Sequence, residues 1–387
     1  MQRLVYLTYL LMVSSAGVTF IFLEEYETDF GIPTWGIGLI SSLSFATTVV
    51  AALAIAPFGD RGHIKALSIF ALVTAIIGNL WIGFATELWS IAISRGLTGI
   101  SAGLFSVVGR KALIGDSTED SGEKIGGFIS AAVAGFILGP AVGAQLSEWG
   151  GIETPYLVIA ALLALIAIPT VRWLTSAPIA TSSDATLSAM WPLLRSPGAR
   201  AAVAAQMAMF FNLGVFDSTV DEYLTSLGVS NSGVGLLLLV VASPLLIMPR
   251  LTGRYVDSHH RPASVLLVAF ALFVPIILAL GLFAGVLAFT LLAFAQTVME
   301  STVFPSATRV VVDETGAEHS AIGTSLLEAA GSSAGAISAF IAPLAFDAAG
   351  GPIGSFGMSS LVAAALLVYA WWNVRQRDLT HKVGSAT

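Results

Sequence analysis

The sequence predicts an all-α integral membrane protein: twelve transmembrane helices in two six-helix halves, with both termini cytoplasmic. Three observations predict it. First, 56% of the 387 residues are hydrophobic and 11% are charged, against roughly 25% charged in an average soluble domain. The mean hydropathy of +0.87 persists along the chain, so no hydrophilic block is long enough for a separate domain. Second, the apolar segments approach the ~20 residues a helix needs to cross ~30 Å of hydrocarbon. The alternating ~10-residue segments of a membrane β-barrel are absent from the sequence. Third, one half of the chain repeats the other.

In chain order, the windows Ala66 to Ala85, Thr154 to Val171, Tyr223 to Pro249 and Ala348 to Asn373 are free of charge. Pro262 to Met299 is charge-free for 38 residues, too long for one crossing, and therefore reads as two spans folded at Gly281 to Gly285. With the less clean segments, the expected spans are 4–23, 36–57, 66–85, 88–110, 124–146, 154–174, 199–220, 232–252, 263–282, 286–309, 320–345 and 354–374. The first apolar segment lacks a small-residue cleavage site after it and reads as a span rather than a signal peptide. The chain then divides into an N-terminal half 1–175, a cytoplasmic linker 176–198 containing Pro178, Pro192 and Pro197, a C-terminal half 199–375 and a tail 376–387.

Orientation follows from the basic residues, which stay cytoplasmic. Sixteen of the 17 lysines and arginines, from Arg3 and Arg61 to Arg375 and Lys382, fall at one face or at the termini, leaving Arg95. The opposite face carries acids, among them Glu24, Glu25, Glu27, Asp29, Glu87, Glu148, Glu153, Asp221, Glu222 and Asp347. Zero cysteines and five scattered histidines argue against a disulfide framework, a metal site and a zinc enzyme. A net charge of −7 without a basic cluster argues against nucleic acid, and no GxxxxGK[ST] segment is present to bind ATP. No cofactor is expected, and no constellation for an enzyme is found within the spans.

Shifting the chain by 197 positions lays Leu23 to Gly31 (LEEYETDFG) over Val220 to Gly228 (VDEYLTSLG). The same offset pairs Gly36, Gly38 and Leu39 with Gly233, Gly235 and Leu236, Asp60 with Asp257, and Ile125-Gly126 with Ile322-Gly323. Two six-helix repeats with a cavity between them are a common plan for secondary transporters.

Three motifs then make the sequence similar to major facilitator superfamily transporters over essentially its full length. Gly126, Gly135, Gly139, Pro140 and Gly143 reproduce G-x8-G-x3-G-P-x2-G on the fifth span, the antiporter motif of the superfamily's twelve-helix drug:proton antiporters, with Ala144 in place of the usual last glycine. Arg95-Gly-Leu-Thr-Gly99 resembles the RxxxG motif of the fourth span, whose arginine the resemblance links to proton transfer. Asp60, Arg61 and Lys65 resemble the loop motif after the second span, although Ala56 replaces its first glycine and Gly62 comes one position early. Gly253, Asp257 and Arg261 form a second copy after the eighth span. The resemblance implies that spans 1, 4, 7 and 10 line the cavity and that spans 3, 6, 9 and 12 face lipid.

Ala131, Gly135, Gly139 and Gly143 recur every four residues, and Gly331, Gly335, Ala339 and Pro343 form a matching stripe on the eleventh span. Close small-residue packing is the direct physical role of such stripes, and the tight, kinkable contact is expected to lie between the halves. Charges inside spans cost ~2.5 to 3.5 kcal/mol each on insertion scales and need a partner or a wet cavity. Four are found: Arg95, Asp217, Glu300 and Glu328. At 1.5 Å rise per residue, Asp217 lies about 27 Å up its helix, Glu300 about 21 Å down and Glu328 about 12 Å up. The last two acids therefore form a candidate proton site near the midplane, the alternative being structural hydrogen bonds or a pair with Arg95.

Glu24, Glu25, Asp221 and Glu222 read as solvated interface charges or helix-to-loop contacts, the alternative being an outer acidic vestibule that attracts cations or protons. Phe210, Phe211, Asn212, Gln206 and Gln296 are cavity candidates. The expected function is alternating-access, proton-coupled efflux of small hydrophobic or amphipathic molecules such as drugs. The alternative is a proton-coupled carrier of a polar metabolite such as a sugar or organic acid. Expected partners are the small-molecule substrate, protons and the lipid bilayer, and the protein is expected to act as a monomer in the plasma membrane, which is the inner membrane if the source is Gram-negative.

Overall fold

A computed structural model describes residues 2–51, 53, 63–114, 121–176, 191–259, 261–315 and 320–384. The described residues of the first half form α1 (Gln2–Thr19), α2 (Leu23–Thr28), α3 (Thr34–Val50), α4 (Ile64–Phe84), α5 (Leu88–Ile114), α6 (Ser121–Gly150) and α7 (Thr154–Ser176). After a single 3-10 turn at Trp191–Arg195 come α8 (Pro197–Ser226), α9 (Asn231–Ala242), α10 (Pro244–His259), α11 (Pro262–Leu282), α12 (Val286–Thr315), α13 (Ser320–Ala349) and α14 (Pro352–Gly384). Among the described residues, ten helical segments are long and apolar enough to cross a membrane, and Thr34–Val50 is a shorter apolar helix.

Local sequence explains where the helices start and break. Ser196 accepts the Ala199 backbone N–H on its side-chain oxygen at 3.3 Å, with Pro197 behind it, so α8 opens with a capping serine and a proline at the first helical position. The long apolar run 262–299 does fold as two helices, turning through Gly285 at φ +113°. Two expected spans are broken. The first ends as α1 at Thr19, passes through tight turns in which Phe20, Ile21 and Phe22 donate to Gly17, Val18 and Thr19, and restarts as the short α2. The eighth is divided into α9 and α10 around Ser243, where Pro244 supplies no backbone donor. Helix α10 then runs on to His259, so Gly253 and Asp257 lie on its last turns rather than in a loop.

The chain forms two compact units, Met1–Ser183 with Val220–Val240 and Asp184–Thr219 with Val241–Thr387. In the first, α1 lies along α6 and also meets α5 and α7, α4 packs on α5 and α7, and α3 packs on α5. In the second, α11 packs on α12 and α14, and α10 on α12. The pairing rule is thus the same in both: the third span of each half touches the fourth and sixth, and the second touches the fourth. Backbone conformation repeats too, since Gly31 and Gly228 both take the left-handed conformation, at φ +65° and +80°, at positions the 197-residue offset relates.

The faces left uncovered are apolar. Phe70 and Val73 on α4, Leu165 and Ile168 on α7, Val268 and Leu272 on α11 and Leu361 and Val368 on α14 are all exposed, on the four helices expected to meet lipid. Tryptophans mark the ends of the helices: Trp35 opens α3, Trp81 and Trp89 flank the α4–α5 turn, Trp149 closes α6, and Trp371 and Trp372 stand at the end of the apolar part of α14. That is where amphipathic indoles settle at membrane interfaces.

Candidate functional site

The glycines of α6 face α1. A Cβ at Gly135 would overlap the carbonyl oxygen of Leu10, one at Gly139 would press on Ser14, and one at Gly143 would meet Val18. Gly17 of α1 in turn has no room for a Cβ beside the Phe136 carbonyl and the Pro140 ring. The glycines of this face therefore pack α6 on α1. The backbone of Pro140 and Ala141 has a second close neighbour, Gly235 of α9. Gly126 is helical, and its surroundings lie outside the described residues. In the second unit the corresponding packing is between α8 and α13, where Gly214 sits against the Gly335 carbonyl and Ser338, and Gly331 against Phe210 and Gln206.

Arg95 on α5 is 2% exposed. Its Nη1 donates to the Ala16 carbonyl and to Thr19 Oγ1, both at 3.1 Å, and to the Ser15 carbonyl at 3.5 Å. These acceptors lie on the last turn of α1, where carbonyls run out of helical partners and the helix dipole is negative. The buried guanidinium is thus a cap for the broken end of α1. A polar network surrounds it: Tyr26 and Tyr156 share a hydroxyl–hydroxyl bond of 3.1 Å, Tyr156 donates to Thr19 Oγ1 at 3.2 Å, and Ser15 donates to Asn79 Oδ1 at 2.7 Å. Sequence reasoning passed over Asn79 and Ser15. A lone amide in the charge-free window of α4 was the signal that could have found them.

Three of the outer acidic residues make hydrogen bonds within the first unit. Asp221 is 2% exposed and accepts the Glu24 backbone N–H on Oδ2 at 3.0 Å, while Asn231 Nδ2 donates to Glu25 Oε1. Glu24, Glu25 and Glu222 are half-buried. The physical reason is that α2 lies against the 220–240 segment, so these side chains make contacts across it. Burial pushes the Glu25 carboxyl up to about 7, opposed by a backbone hydrogen bond and reinforced by the charges of Glu24 and Asp29.

In the second unit, Glu300 of α12 is half-buried and accepts from Gln296 Nε2, one turn earlier, at 3.2 Å. Gln296 itself is 3% exposed. Glu328 is half-buried on α13, which packs on α12, and Asp217 is buried on α8. Of the cavity candidates, Asn212 is fully buried with Oδ1 taken by Ser359 at 3.0 Å, and Phe211 and Gln206 are buried as well. That bond ties α8 to α14. Phe210 keeps partial exposure. Of the loop motif, Asp60 and Arg61 lie outside the described residues, Lys65 is exposed at the start of α4, and Arg261 is exposed just before α11. The side-chain surroundings of Asp257 lie outside the described residues.

The Major Facilitator Superfamily model matches residues 5–216 and again 202–386. The chain belongs to the major facilitator superfamily. A multi-drug resistance efflux pump PmrA homolog of Lactococcus lactis is 28% identical over 164 residues, 41% of this chain and 40% of that protein. Multidrug resistance protein MdtG of Proteus mirabilis is 29% identical over 167 residues, 41% of each chain. The chain thus spans about two fifths of the length of these two relatives. The putative transporter AraJ of Escherichia coli is 26% identical over 279 residues, 70% of this chain and 69% of that one. Among solved structures, a bacterial homolog of the human lysosomal transporter Spinster superposes with TM-score 0.76 at 13% identity, covering 97% of this chain and 96% of that one. The E. coli xylose transporter XylE superposes with TM-score 0.73 at 14% identity, covering 96% of each. The superfamily fold therefore extends over 97% of the chain, and the protein is a multi-pass membrane protein of that superfamily.

Proposed function

We propose that the protein is a secondary active transporter of the plasma membrane that exports small hydrophobic or amphipathic molecules in exchange for protons. The carrying observation is Glu300, the first charge along α12 after a charge-free run from Val286 to Met299, held by the amide of Gln296 at 3.2 Å. A carboxyl placed there costs ~2.5 to 3.5 kcal/mol to insert as a charge, a cost that makes proton binding and release a reason for its presence. The glycine-proline motif on α6 and the names of two relatives, a multi-drug resistance efflux pump homolog and a multidrug resistance protein, support export of drug-like molecules. In the proposed cycle Glu300, with Glu328 and Asp217 as further candidates, takes a proton from outside and gives it up inside as substrate is captured. Arg95 contributes by holding α1 in place rather than by carrying the proton.

The test is efflux from proteoliposomes under an imposed pH gradient. Glu300→Gln should lower proton-driven efflux at least about tenfold, a loss of about 1.4 kcal/mol in coupling, while leaving insertion intact. Full proton-driven efflux by Glu300→Gln and by its double variant with Glu328→Gln would overturn the reading.

A further inference from the structure

Glu24 and Asp221 are related by the 197-residue repeat and hydrogen-bond to each other, the backbone N–H of one to Oδ2 of the other. Beside them, Glu25 receives the Asn231 side chain. Two contacts therefore tie the short α2 to the 220–240 segment at the face opposite the basic residues. The contact is made of acids that dislike each other. Asp221 is 2% exposed, and its second oxygen, Oδ1, is buried with no hydrogen-bond partner; the same is true of Glu25 Oε2. Buried carboxylate oxygens without donors are costly as charges, more so with like charges alongside.

We propose that this contact is a latch on the outer face that closes when protonated, with the buried carboxyl of Asp221 and that of Glu25 as the groups that take up the protons. The groups around Glu25 are Glu24 and Asp29 on its own helix, Asp221 on α8, and Tyr26 and Tyr156 with Arg95 behind them. The near ones are acids or hydroxyls, and the cation Arg95 is engaged at the end of α1. In the closed contact the Glu25 carboxyl sits at about 7 rather than 4.5, so the closed form gains stability as pH falls through 7 and loses it as pH rises. The break between α1 and α2 lets α2 carry both contacts as a separate piece. A proton arriving from outside would then close the outer side, the step an exchanger needs after loading. The latch concerns how the superfamily member switches and does not depend on the substrate.

The absence of cysteine in the sequence makes the test direct. Spin labels on Thr28→Cys and Ser226→Cys, both exposed positions on the two sides of the contact, report its distance in lipid nanodiscs. Between about pH 8 and about pH 5.5 the ratio of short to long distances should rise on the order of 30-fold. Glu25→Gln should raise the short population at high pH and make the titration shallower. Asp221→Asn, a separate variant that keeps the acceptor for Glu24, should raise the short population at high pH. A distance independent of pH in the parent, or an unchanged titration in both variants, would overturn the latch. Because the readout is a distance rather than efflux, that result would leave the role of Glu300 standing, whereas loss of the Glu300 effect alone would leave the latch standing.

Discussion

Arg95 illustrates what a single residue does when the membrane denies it solvent. The sequence marks it as the one basic residue outside the topological pattern, and a charge at that depth demands compensation. The compensation turns out to be two carbonyls and a hydroxyl at the end of α1. Hydrogen bonds from a charged donor contribute about 1.5 to 3 kcal/mol. Arg95→Met should therefore lower thermal stability by several degrees in detergent, with Arg95→Lys recovering part of the loss. A melting temperature unchanged in Arg95→Met would contradict the capping role. The carboxylate partner weighed for Arg95 from the sequence could not be chosen or rejected there, because helix ends are not visible as acceptors until the break at Thr19 is known.

At the scale of elements, the stripe of glycines was legible and its partner was not. Spacing by four residues puts Gly135, Gly139 and Gly143 on one face of α6, but which helix fills that face depends on tertiary packing; it is α1. Gly135→Ala should cost about 1 to 3 kcal/mol through overpacking and reduce the folded yield, since its methyl would meet the Leu10 carbonyl. Gly253→Ala on α10, where a Cβ would meet nothing within 4 Å, should be neutral or slightly stabilising as an ordinary helical Gly→Ala change. Comparison of the two by thermal melting checks the pairing, and equal effects would argue against it. Broken helices were the other surprise. Pro244 is a visible cause in the sequence, whereas the break after Thr19 rests on Arg95, Tyr156 and Asn79, contacts made by distant parts of the chain.

At the scale of the whole molecule, exposed apolar faces recur on α4, α7, α11 and α14, as helices that meet lipid require. Leu165 on α7 is 75% exposed, while Leu163 two residues earlier is fully buried. Leu165→Lys should cost about 2.5 to 3.5 kcal/mol on insertion scales, whereas Leu163→Ala should cost about 2 to 5 kcal/mol through a cavity in the bundle. Insertion efficiency should fall in the first and thermal stability in the second, and the reverse assignment would show the faces to be misread. By itself the sequence determined the membrane class, the repeat, the family resemblance and the position of each buried charge, because apolar run length, one repeated offset and the rarity of charge are properties of composition along a line. Only the tertiary structure decided which distant groups the charges meet: a helix end for Arg95, and a second acid's surroundings for Asp221 and Glu25. Those partners come from residues up to about two hundred positions away, and close packing, not local propensity, brings them together.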